Sequence, residues 1–184
     1  QEQQQEMQAG AAESESGIRS TVTQGTSSAV VTDVTEVVEN TMPSIVSITN
    51  QMIISGTDFW GQNMQQEQEA AGSGIIIGEN DNELLVVTNN HVVADSNKIS
   101  VKFIDDEVVE AQIKGTSPSM DLAVIAVKLS DVKDSTKDSI AIATMGDSDT
   151  LKVGEPVIAI GNALGYGQSV TTGVVSALNR TLEV

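Results

Sequence analysis

His91 is the single histidine among 184 residues, and it lies in the stretch VVTNNHVVADS (86–96). An imidazole titrates near neutrality and can take up and return a proton, provided something fixes its orientation. Asp121 follows thirty residues later and opens the apolar run DLAVIAVK (121–128). A carboxylate at the lip of such a run is either a turn residue or a fixed partner. In the second case it can hold the Nδ1–H of a histidine so that Nε2 faces a nucleophile. The residues alone leave His91 open between a proton carrier and a solvated or structural side chain. Metal chemistry is disfavoured: there is no cysteine, only one histidine and no EF-hand spacing, so no metal site is predicted. The missing cysteines also remove disulfides and thiolate nucleophiles. No organic cofactor is called for.

The elements that must position these residues are short and β-branched. Candidate strands are SIVSITN (44–50), GSGIIIG (72–78), ELLVVTN (83–89), KISVKFI (98–104), EVVEAQIKG (107–115) and DLAVIAVK (121–128). IAIAT (140–144), EPVIAIG (155–161) and SVTTGVVSALN (169–179) continue the series. Turn residues such as GENDNE, IDDE, GTSPS and GDSD separate them. Strands at this spacing without amphipathic helices between them predict an all-β antiparallel sandwich or barrel. The polar stretch 56–72 reads as a long loop, and Phe59 and Trp60 on it make up half of the chain's aromatics. Aromatics are only 2% of the chain, so the core must be built from aliphatic side chains.

Residues 1–42 differ in kind. They hold seven acids against Arg19 alone, and 1–30 reads as a disordered polar leader. A short helix is expected over TDVTEVVENTM (32–42), capped by Thr32 and ended by Pro43. The formal net charge of −17 argues against nucleic acid, whose phosphates demand clustered Lys and Arg, and would repel an anionic membrane. No apolar run approaches the roughly 20 residues of a membrane helix.

GSGIII (72–77), TNNHVV (88–93), DLAVIAV (121–127), MGDSDTLKVGEPVIAIGNALG (145–165) and SVTTGVVSALNR (169–180) occur in that order. Together with VTEVVENTMPSIVSI (34–48), they resemble the trypsin-like serine proteases of the HtrA family. The resemblance covers about 40–184. It implies a chymotrypsin-like double β-barrel, with a complete first barrel within 31–150 and the opening strands of an incomplete second barrel over 151–184. It implies that His91 is the general base and that Asp121 orients it. It also implies that the polar loop at 56–72 is a variable regulatory loop. Further implications are substrates that are unfolded or damaged proteins, assembly as a trimer through segments near 34–50, and an extracytoplasmic place at the cell envelope. Any membrane contact would come through an anchor upstream of Gln1.

The family's nucleophile sits in a GNSGG motif, and neither that motif nor any GxSxG elbow occurs in the 184 residues. Ser73 falls in a first-barrel strand of the family pattern, and Ser169 and Ser176 in second-barrel strands, so all three read as structural. GNALG (161–165) reads as a turn between strands, since it lacks the GxGxxG or Lys-Ser/Thr of a phosphate loop. The expectation is therefore a serine endopeptidase fragment that holds the His and Asp of a triad and is inactive as given. The alternative is a non-catalytic binding or chaperone-like module that keeps a degenerate protease fold.

Overall fold

A computed structural model describes residues 34–57, 63–161 and 169–179. The leader 1–30 with Thr32, and the aromatics Phe59 and Trp60, lie outside the described residues, as does GNALG apart from Gly161. Helix α1 (Thr35–Thr41) leads through a 3₁₀ turn at Met42–Ser44 into the first strand. Its N-cap is Val34, which supplies no side-chain cap, so the helix begins three residues after the expected cap. The α-helix stops at Thr41 with Met42 as its C-cap, immediately before Pro43, which sits inside the 3₁₀ turn, where its missing N–H leaves no gap.

Six antiparallel strands close a barrel: β1 (Ile45–Thr57), β2 (Asn63–Glu79), β3 (Glu83–Thr88), β4 (Lys98–Lys102), β5 (Val108–Ser117) and β6 (Leu122–Lys128). Around the barrel they run β1-β2-β3-β6-β5-β4, and β4 pairs back onto β1. Closure leaves no free edge among these strands. Side chains alternate in and out with the two-residue period of a strand. Along β3, Leu84, Val86 and Thr88 point inward; along β6, Ala123, Ile125 and Val127 do so. Phe103 is the only aromatic in the core cluster, which is otherwise Val, Ile, Leu and Ala.

The barrel's inward file on β2 is Gly72, Gly74 and Ile76. A Cβ on Gly74 would lie 2.7 Å from Val86 Cγ1 and 2.8 Å from Ile48 Cδ1, so the strand packs there by its backbone. Bulges interrupt the register at Ile76/Gly78 and Ile113/Gly115, and bend the strands around the barrel.

The sequence reading of 56–72 as a loop fails at 56–57 and 63–72, which are strand, while 58–62 lie outside the described residues. β1 and β2 form one long hairpin whose pairing continues from Ile45↔Ile75 out to Thr57↔Asn63. The stretch 63–71, NMQQEQEAA, has no apolar alternation, so hydropathy gives no strand signal there. IAIAT (140–144) is not a strand either. It is an irregular segment tied by Ala141 N–H to Pro43 O at 3.1 Å, in the turn before β1, and by Ala143 N–H to Ile76 O at 2.9 Å, in β2. Before it, helix α3 (Asp134–Lys137) is held to the β4–β5 turn, where buried Thr136 donates its hydroxyl to Asp105 Oδ2 at 2.6 Å. That bond is the largest influence holding the Asp105 carboxyl below its ordinary pKa.

Beyond the barrel, β7 (Pro156–Gly161) and β8 (Ser169–Val174) form a two-stranded antiparallel sheet. Ser169 opens β8, whereas Ser176 lies past its end, in irregular chain. No residue of either strand is buried.

Candidate active site

His91 does not stand at a strand end. It lies on a single helical turn, α2 (Asn90–Val93), between β3 and β4. One turn is far too short to hold itself together in water, because nucleation fixes several residues for one hydrogen bond. Tertiary contacts must fix it. Val92 and Val93 are buried, and a Cβ on Gly72 would meet Val92 Cγ2 at 2.5 Å, so β2 leaves room for this turn only as glycine. With both valines inward, the His91 side chain faces out, 71% exposed.

Asp121 is carried by the adjacent strand, β6, which pairs with β3 up to Thr88↔Ala123. A 3₁₀ turn at Pro118–Met120 ends on Asp121 in the left-handed region, φ 50° and ψ 44°, immediately before β6. Aspartate enters that region more readily than most side chains. The conformation turns both its carbonyl and its carboxylate toward α2. The carbonyl accepts from Asn90 N–H at 3.1 Å and from Asn89 Nδ2 at 3.0 Å. Oδ1 accepts from His91 N–H at 2.9 Å, and Oδ2 lies 2.7 Å from His91 Nδ1.

Asp121 thus satisfies donors at the start of α2 that a helix leaves unpaired. The His91 backbone N–H, and next the His91 ring, hold its carboxyl below the ordinary aspartate pKa. An ionised carboxylate can only accept, so the shared proton belongs on Nδ1, and in a neutral imidazole Nε2 is then the nitrogen without a proton. The pair is open to solvent, with Asp121 46% exposed. Beside it a cavity of about 260 Å³ is lined by Ser73, Gly74, Thr88, Asn89, Leu122 and Ile160.

The two residues singled out from sequence are therefore brought together. Ser73 lies in β2, its carbonyl accepting from the Thr88 hydroxyl at 2.7 Å. Among the described residues there is no group of three or more metal-ligating side chains. Sequence reasoning missed Asn89 and Asn50. Asn50 is wholly buried, and its Nδ2 donates to Val92 O at 2.9 Å and Ala94 O at 3.0 Å. A signal for it existed: Val46, Ile48 and Asn50 share one face of β1, so a polar side chain falls in a core position.

Residues 72–183 match the family model described as a trypsin-like peptidase domain. A probable periplasmic serine endoprotease, DegP-like, of Pseudomonas putida (strain GB-1) is 35% identical over 179 residues, covering 82% of this chain and 35% of the relative. The serine protease Do-like HtrB of Bacillus subtilis (strain 168) is 35% identical over 156 residues, covering 83% and 32%. The solved structure of the HtrA-type protease AlgW with a decapeptide superposes with a TM-score of 0.60 at 29% identity, covering 78% of this chain and 45% of that one. The chain thus spans about a third of the length of these curated relatives. On the matched domain, the closed barrel and these relatives together, the chain belongs to the HtrA family of trypsin-like serine proteases.

Proposed function

We propose that His91 and Asp121 are the general base and orienting acid of a serine endopeptidase acting on unfolded or damaged protein outside the cytoplasm. The observation that carries this reading is the two-point grip of Asp121 on His91, at 2.9 Å to the backbone N–H and 2.7 Å to Nδ1. That grip fixes the ring's tautomer and direction together, as a triad requires. The complete reaction is acyl transfer. Nε2 takes the proton of a serine hydroxyl as its oxygen attacks the peptide carbonyl, then gives it to the leaving amine. A protein or peptide substrate agrees with the decapeptide bound in the AlgW structure, and an extracytoplasmic location with the periplasmic naming of the Pseudomonas relative. Trimeric assembly near 34–50 and membrane anchoring belong to the same reading and rest on family likeness alone.

No GNSGG or GxSxG motif occurs in the 184 residues, so the proposal assigns this chain the base and the acid without a nucleophile. An active-site fluorophosphonate should leave the 184-residue chain unlabelled and should label a longer form that carries a GNSGG segment. In that longer form His91→Ala should remove casein cleavage, by about 10⁴-fold or more. Undiminished cleavage would take His91 out of the mechanism, and labelling of the 184-residue chain would show a nucleophile the reading lacks.

A further inference from the structure

The turn that carries His91 is held at both ends by residues from distant strands. Asp121 takes up N–H groups at its start, as described above. At its end, Val92 O and Ala94 O both accept from one nitrogen, Asn50 Nδ2, across 42 and 44 residues of sequence. The amide can stand only one way round. Reversed, its oxygen would face two carbonyl oxygens, with no proton between them. Held this way, Asn50 Oδ1 is buried and has no hydrogen-bond partner among the described residues. An aliphatic side chain would continue the Val46, Ile48 file and leave no orphan, but it would leave the Val92 and Ala94 carbonyls without this donor.

We infer that Asn50 is a positioning residue for His91: its amide fixes the C-terminal end of α2 from inside the barrel, and so sets the distance and angle at which the imidazole meets Asp121. The inference rests on the reading of His91 and Asp121 as the proton-handling pair. Asn50 touches neither side chain of that pair. It acts through the α2 backbone, as Gly72 does by leaving room for Val92.

A single histidine makes the test direct, because the imidazole spectrum of the chain contains one ring. In the neutral form, long-range ¹⁵N–¹H correlations from the ring's carbon-bound protons report which nitrogen carries the proton. The unaltered chain should hold it on Nδ1. Asn50→Asp keeps the side chain's shape but removes both donated bonds, and should lose that preference toward the Nε2–H form common in free imidazole. Leu84→Ala, a core truncation away from α2, should lower stability and keep the Nδ1–H form. Retention of the Nδ1–H form in Asn50→Asp overturns the inference, as does its equal loss in Leu84→Ala.

Should Asn50→Asp fail to fold, exchange of the Asn50 Nδ2 protons in the unaltered chain decides. Protection comparable to core amides supports the role, and exchange at the rate of a free side-chain amide overturns it. Absence of the Nδ1–H form in the unaltered chain would be seen before any substitution. It removes the His91–Asp121 pair itself, and this role of Asn50 with it.

Discussion

The six-stranded barrel and the β7–β8 hairpin are built from similar residues and differ in what their strands can bury. PVIAIG (156–161) and SVTTGV (169–174) form strands in the hairpin as LAVIAVK (122–128) does in the barrel, and both regions pair in register. In the barrel, every strand has two neighbours and one face turned to a shared core. In the hairpin, each strand has one described neighbour, and Val157, Val170 and Val174 are exposed. Strand propensity is thus common to the two, and burial is particular to one. A two-stranded hairpin is marginal by itself, whereas a closed barrel with a packed core is not. Both residues of the candidate pair are carried by the barrel, on turns adjoining β3 and β6, so their geometry draws on the region where packing is strongest.

The largest test of that contrast is truncation in each region. Ile48→Ala removes a fully buried side chain and should cost roughly 2–5 kcal/mol by urea unfolding. Val157→Ala in β7 should stay within about 0.5 kcal/mol. Equal losses would mean the hairpin shares the barrel's core.

Next in size is the same substitution made at two glycines. Gly72→Ala drives a Cβ into Val92, a β-branched side chain with little freedom to move, and should cost about 1–3 kcal/mol. A Cβ on Gly173 in β8 meets nothing within 4 Å, so Gly173→Ala should be neutral or slightly stabilising. Calorimetric midpoints of the two variants would separate them, and a neutral Gly72→Ala would show that α2 can shift without cost.

Smaller effects should appear on acidification. Asp105 and Asp121 both have carboxyls held below their ordinary pKa by hydrogen bonds in the folded chain. A depressed folded pKa contributes stability that is fully present above the unfolded value, about 3.9, and is lost as pH falls through the lower folded value. Denaturation midpoints should therefore be insensitive to these two groups above about pH 5 and should fall below about pH 4. Asp105→Asn and Asp121→Asn should each flatten that acid limb. An unchanged limb in Asp121→Asn would show that the pair contributes nothing to folding, and would leave its role to chemistry alone.

Much of this protein was legible before any fold was known. Alternation in ELLVVT and DLAVIAVK marked strands because one face of each is buried, and burial is what hydropathy records. The same logic failed on 63–71, where strand pairing runs beyond the core and the side chains carry no apolar stripe. It failed in the opposite sense on IAIAT, which is apolar but is tied to the turn before β1 and to β2 by single backbone bonds instead of a ladder. His91 and Asp121 were legible as residue types, and the ordered motifs made them candidates.

By itself, then, the sequence determined an acidic, cysteine-free, all-β chain with one histidine and one well-placed carboxylate. It also determined the family, through the order and spacing of the motifs. Only the tertiary structure decided that the left-handed turn at Asp121 aims one carboxylate at two points of His91. It also decided that Asn50, from the far strand, holds the other end of the same helical turn. Strand propensity and alternation are local and survive in a sequence. A hydrogen bond spanning 30 or 42 residues exists only once a barrel has closed.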